Sequence, residues 1–108
     1  MAGLDGGTTI VTIETESEGP GTSVVHIEGE LDIASVPKVE TQIAPIVAAA
    51  PERFVFELSK VSFMDSSGIA MLLRVAERVP RIEVREPSAS VQLVIAATGL
   101  SEFLQVDV

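Results

Sequence analysis

Phe54-Val55-Phe56-Glu57-Leu58, followed by Val61-Ser62-Phe63-Met64-Asp65-Ser66-Ser67-Gly68, is the stretch on which the fold turns. The first five residues are aromatic and β-branched with a single charge among them, the composition of a central, mostly buried strand. Beyond Gly68, the residues Ile69, Leu72, Leu73, Ala76 and Val79 recur at helical spacing, and Pro80 ends the run. A buried strand that feeds an amphipathic helix is half of a β-α-β unit. It puts Asp65-Ser66-Ser67-Gly68 on the strand-to-helix turn.

Toward the N-terminus, Ile10 to Glu14 alternate apolar and polar, which is the period of a half-buried strand. Glu18-Gly19-Pro20-Gly21 reads as a turn. After it Val25 and Ile27 face one way while His26, Glu28 and Glu30 face the other, so the two strands form a hairpin with an acidic outer face. His26 has no second histidine to work with and reads as a solvated strand residue. Ser35 suits a helix N-cap and Pro37 the first turn, and Val36, Val39, Ile43, Ile46, Val47 and Ala50 fall on one helical face. Pro45 lies inside that helix. It lacks an amide donor and crowds the carbonyl four residues back, at a cost of about 3 kcal/mol in an ordinary interior, so a kink or an early end is expected before Pro51 closes the segment.

Toward the C-terminus, Ile82 to Glu86 form a weaker strand, and Ser88 caps a helix with Val91, Val94, Ile95 and Thr98 on one face. Gly99 suits the stop of that helix, and Leu104, Val106 and Val108 alternate like one more strand. The order is β-β-α-β-α-β-α with a short final strand, an α/β pattern without internal repeats or long linkers.

The 108 residues make one domain, and an apolar share of 46% is enough for a sizeable core. Seven Lys and Arg against sixteen Asp and Glu leave a net charge of −9, which would repel a nucleic-acid backbone. With no cysteine and a single histidine, disulfides, thiolate chemistry and multi-histidine metal sites are excluded within the chain. The longest apolar run, Ile43 to Ala50, is far short of the roughly 20 residues of a membrane helix, and no basic-then-apolar leader opens the sequence. The expectation is a cytoplasmic protein with neither nucleic acid nor membrane as a direct partner.

Asp65-Ser66-Ser67-Gly68 is the one place where polar residues concentrate at a helix start behind a buried strand. The first amides of a helix have no internal acceptors and the macrodipole is positive there, so a hydroxyl, a carboxylate or a phosphate is favoured. On these four residues alone Ser66 fits two readings, a helix cap or a phosphoacceptor. Catalysis through Ser66 or Asp65 would need an adjacent base. His26 lies on an acidic strand, and neither a nucleophile elbow nor a glycine-rich phosphate loop is present.

Ser62-Phe63-Met64-Asp65-Ser66-Ser67-Gly68-Ile69, with Gly29-Glu30-Leu31-Asp32 before it and Thr98-Gly99-Leu100 after it, resembles the STAS domains and among them the bacterial anti-sigma factor antagonists. The likeness is collinear from about Val11 to Phe103. It implies a single STAS domain over residues 1–108, with 1–9 a flexible N-terminal segment. The implied fold is a mixed β-sheet of four to five strands with helices mainly on one face.

The resemblance also implies a mechanism without cofactor, metal or catalysis. The unphosphorylated chain binds an anti-sigma factor that is also a serine kinase, and the sigma factor is released. Phosphorylation at Ser66 breaks the complex, and a serine phosphatase of the metal-dependent class restores it. Asp65 is then the supporting carboxylate and Ser67 a neighbouring hydroxyl, and Asp32, Ser35, Asp65, Ser67 and Gly68 are the partner-binding residues. Monomer and weak dimer are equally compatible with the pattern. Strand Ile82 to Glu86 departs from the family by carrying Glu83, Arg85 and Glu86 where such domains run more apolar. The alternative within the family is a STAS module of a stressosome or of a lipid-transport complex, without sigma-factor control.

Nine of the sixteen acids precede residue 54 with only Lys38 and Arg53 against them, so an acidic face at Glu28, Glu30 and Asp32 is expected to meet a basic patch of the partner. Arg74, Arg78, Arg81 and Arg85 read as a solvated helix face and its C-terminal cations.

Overall fold

The computed structural model describes residues 11–102 and 104–107. Ile10, the 1–9 segment, Phe103 and Val108, which figured in the sequence reading, lie outside the described residues. Among those described, the elements run β1 (Val11–Ser17), β2 (Thr22–Leu31), α1 (Val36–Ala48), β3 (Arg53–Met64), α2 (Ser66–Ala76), β4 (Arg81–Arg85), α3 (Ala89–Thr98), a 3-10 turn (Leu100–Glu102) and β5 (Gln105–Asp107). The strands form one sheet in sequence order, with β1 antiparallel to β2 and every later neighbour parallel. The expected α/β fold with a mixed sheet is the fold observed.

The β1–β2 hairpin closes through Gly19 and Gly21, at φ 80° and 78°, where a side chain would be strained. β3 does not stop at Leu58 but runs on to Met64, opposite Leu31 of β2. Two bulges, between Glu57 and Lys60 and between Val61 and Phe63, each add one residue on β3. They break the two-residue alternation and leave Ser59, Lys60, Ser62 and Phe63 exposed, which hides the second half of the strand from a pattern reading.

Val25 and Ile27 of β2, Phe54, Phe56 and Leu58 of β3, and Ile82 and Val84 of β4 share one core cluster with Val36, Val39 and Ile43 of α1, Met71, Leu72 and Val75 of α2, and Val91 and Ile95 of α3. All three helices therefore cover the same face of the sheet. The alternate strand positions carry charge on the helix-free face. There His26 bonds Glu16 at 2.9 Å and Glu57 at 3.4 Å, so it is held between two carboxylates and is not the freely solvated residue expected. Glu83 is buried and accepts Arg53 Nε at 2.9 Å, which is how β4 carries an acid inside the sheet. Arg85 grips Glu18 through two nitrogens at 3.0 and 3.1 Å, and this pairing holds the Glu18 carboxyl below its ordinary pKa.

Three helix expectations need correction. Pro45 does not end α1, which runs on to Ala48. Pro45 is exposed, so the carbonyl it leaves without a donor can be hydrated. Ala50, at φ 56°, lies past the helix end. In α2 the buried face is Gly68, Met71, Leu72 and Val75, one position off the expected stripe, and Leu73 is partly exposed. Apolar residues on both flanks of that helix made two faces look alike. Ser88 caps α3 through Val91 N–H, and Gly99 ends it at φ 69°, both as expected. β4 stops at Arg85 because Glu86 turns into the left-handed region at φ 50°.

Candidate functional site

The parallel pairing of β2 and β3 brings the end of β2, the start of α1 and the start of α2 together at the C-terminal end of these two strands. Asp65 is pinned there by its own amide, which donates to Leu31 O at 3.1 Å. It is also the N-cap of α2: its Oδ1 accepts Ser67 N–H at 2.8 Å, and its carbonyl accepts Gly68 N–H and Ile69 N–H at 3.1 and 3.3 Å. Ser66 is therefore not the cap. It is the first helical residue, it is exposed, and its hydroxyl makes no hydrogen bond among the described residues.

Ser67 is half-buried, and its amide is taken by Asp65. Gly68 is buried under the turn, where an added Cβ would stand 2.8 Å from Met64 Cγ and 3.2 Å from Leu31 Cβ. Only glycine lets α2 begin this close to β2 without a shift in the packing.

The other wall is the loop from Leu31 to Ser35. Asp32 Oδ1 accepts Ala34 N–H at 3.0 Å and Ser35 N–H at 2.9 Å, an Asx turn that aims the chain into α1. Ser35 is fully buried. Its hydroxyl donates to Glu30 O at 2.5 Å and accepts Asp32 N–H at 3.0 Å, so it ties the loop together and forms no side-chain cap on α1. Ile33, between them, is 80% exposed, an unusual state for isoleucine.

A groove of about 360 Å³ lies between the two walls, lined by Ile33, Val36, Pro37, Glu40, Ser66, Ser67, Ala70 and Arg74. Across it Arg74 Nε donates to Glu40 Oε2 at 2.7 Å. Sequence reasoning touched Ile33 only as part of the Asp32–Ser35 segment, which borders the partner surface in the resembled family, and gave no role to Glu40 or to this pair. Arg74 was visible only as one of four clustered arginines, because its partner lies 34 positions away.

The acids Glu28, Glu30 and Asp32 do not form one face. Asp32 belongs to the loop beside the groove, whereas Glu28 lines a depression of about 260 Å³ on the helix-free face, with Glu14, Glu16, His26, Glu57 and Lys60. Burial there would lower the His26 pKa, but hydrogen bonds and charge from Glu16 and Glu57 together outweigh it and raise the pKa above 6.5.

No side chain among the described residues is hydrogen-bonded to the Ser66 hydroxyl. Among the described residues no group of three or more His, Cys, Asp or Glu is placed to hold a metal, and no helix is long and apolar enough to cross a membrane.

Residues 13–107 match the family model of the STAS domain. The anti-sigma-F factor antagonist RsfB of Mycobacterium tuberculosis is 32% identical over 65 residues, which is 60% of this chain and 53% of RsfB, so the match spans about half the length of that curated relative. The crystal structure of an anti-sigma factor antagonist from Mycobacterium paratuberculosis superposes with a TM-score of 0.84 at 29% identity, covering 91% of this chain and 86% of the other. SpoIIAA shares the fold at 24% identity. The TM-score is 0.75 for its unphosphorylated form, over 90% of this chain and 89% of that one, and 0.68 for the phosphorylated form from Bacillus, over 90% and 92%.

Proposed function

We propose, given that this chain belongs to the STAS domain family, that it is an anti-sigma factor antagonist whose partner seats on the groove between α1 and α2. One observation carries the reading: Ser66 stands exposed at the first position of α2 with an unbonded hydroxyl, next to the bare side chain of Ile33. An exposed aliphatic group beside a polar helix start is what a protein partner buries, and a modifiable hydroxyl inside that footprint makes the contact reversible. The RsfB and Mycobacterium paratuberculosis proteins, both described as antagonists of this kind, support the class.

In this reading the unphosphorylated chain binds an anti-sigma factor that is also a serine kinase, and so frees the sigma factor. The kinase phosphorylates Ser66, and a serine phosphatase returns it. Asp32, Asp65 and Ser67 meet the partner at the rim. Ser35 and Gly68, both buried, serve the contact by holding the loop and the helix start in place. A phosphate brings about −1.5 to −2 charge beside Asp65, and stripping its water at an interface would break binding without refolding the domain.

The test is mass spectrometry after incubation with a candidate anti-sigma factor kinase and ATP. Phosphate should appear at Ser66, disappear in Ser66→Ala, and be absent with ATP alone. Phosphate on Ser67 in the wild-type protein would overturn the assignment.

A further inference from the structure

Ser66, Ala70 and Arg74 follow at intervals of four residues, so they lie along one stripe of α2, and all three line the groove that α1 closes from the other side. Arg74 is the one cation lining that groove among the described residues. The acids around it are Glu40 on α1, Asp65 at the cap of α2 and Asp32 in the loop. The Arg74 and Glu40 side chains are 53% and 36% exposed, and an ion pair that open to water is weak and exchangeable. Only Nε of Arg74 is engaged. Its two outer nitrogens make no hydrogen bond among the described residues. A long side chain on a helix leans over the turn N-terminal to it, which here carries Ala70 and lies between Arg74 and Ser66.

We infer that Arg74 is the positioning residue for a phosphate on Ser66, exchanging its partner Glu40 for the phosphoserine when the charge arrives. The inference rests on Ser66 as phosphoacceptor and adds where the new charge goes. A phosphate of about −1.5 to −2 outcompetes one carboxylate for an exposed guanidinium, and it offers the two-pronged acceptor that arginine fits best. Glu40 is then left unpaired on the α1 wall. Modification therefore rewrites the charge pattern along the groove, from a neutral pair at one end and a bare hydroxyl at the other to a partly neutralised phosphate and a free carboxylate. A partner that reads the groove meets two changes from one phosphoryl transfer.

The experiment uses the full chain with phosphoserine installed at position 66 during translation, so no kinase is required, and titrates the phosphate by phosphorus NMR. The second ionisation of phosphoserine lies near pH 6 and falls when a cation holds the dianion. Arg74→Gln should raise it by about 0.3 to 0.5 of a pH unit, the size expected of an exposed pair, and Glu40→Gln should lower it by removing the competitor. Arg78→Gln is the control, since it deletes the same charge four residues on, past the end of α2 and outside this groove. It should move the titration by less than a third as much. Equal effects of Arg74→Gln and Arg78→Gln, or no effect of Glu40→Gln, would overturn the inference. Failure of a kinase to label Ser66 would instead remove the functional reading and leave this titration as it stands.

Discussion

Gly68 of α2 rests so closely on Leu31 of β2 that a Cβ at position 68 would lie 3.2 Å from Leu31 Cβ, with Met64 Cγ closer still at 2.8 Å. This contact packs the start of the helix against the end of the strand that leads into the loop of Ile33, so it joins the two walls of the groove.

Gly68→Ala should therefore destabilise the domain despite the better helix propensity of alanine. Overpacking costs about 1 to 3 kcal/mol and the propensity gain returns up to about 1, so a net loss of roughly 1 kcal/mol is expected in urea unfolding. A stabilised variant would mean that Met64 yields freely and the contact is not tight.

Asp65 and Ser66 are neighbours with opposite expectations. Asp65→Ala removes the cap on Ser67 N–H and should cost about 1 kcal/mol, whereas Ser66→Ala removes a hydroxyl that bonds nothing and should cost less than about 0.5. Equal losses in thermal unfolding would show that Ser66 shares the capping.

The sequence made the elements legible wherever local chemistry decided them. Ser88 and Gly99 bound α3 because a cap and a left-handed stop are properties of one residue and its neighbours. The start of α2 behind a buried strand was legible for the same reason. What escaped was set by tertiary context: the bulges that carry β3 to Met64, the exposed seat of Pro45, and the identity of the cap, which fell to Asp65 because Leu31 O fixes its amide. The groove was half legible. Its serines sit in a local motif, but Glu40 and Arg74 meet only when α1 packs on α2.

On the helix-free face, Glu83 is buried with its charge answered by Arg53, and Arg85 Nε stands 3.8 Å from its second oxygen. Arg53→Met strands that carboxylate and should cost about 2 to 3 kcal/mol, while adding Glu83→Leu should recover much of the loss because an apolar pair avoids the desolvation. A double variant less stable than the single one in urea would refute this account of β4.

The His26 ion pairs set a pH dependence with a defined sign. The folded pKa is raised above 6.5, so the stabilisation is complete below that value and is lost as pH rises through the folded pKa. The stability difference between wild type and His26→Gln, followed by thermal unfolding from about pH 5 to 9, should shrink as pH rises. A difference that stays flat or grows would contradict the pairing with Glu16 and Glu57.

The most direct test of the central claim is calorimetric titration of a cognate anti-sigma factor with the full chain in two forms, Ser66 free and Ser66 phosphorylated, alongside the backbone amide spectra of each. The account predicts at least about a hundredfold weaker binding of the phosphorylated form, a change of about 2.7 kcal/mol, with amide shifts confined to the Leu31–Ser35 loop, α1 and α2 around the groove. Equal affinities of the two forms would contradict it, and shifts spreading into α3 would replace local charge exclusion with a change of fold.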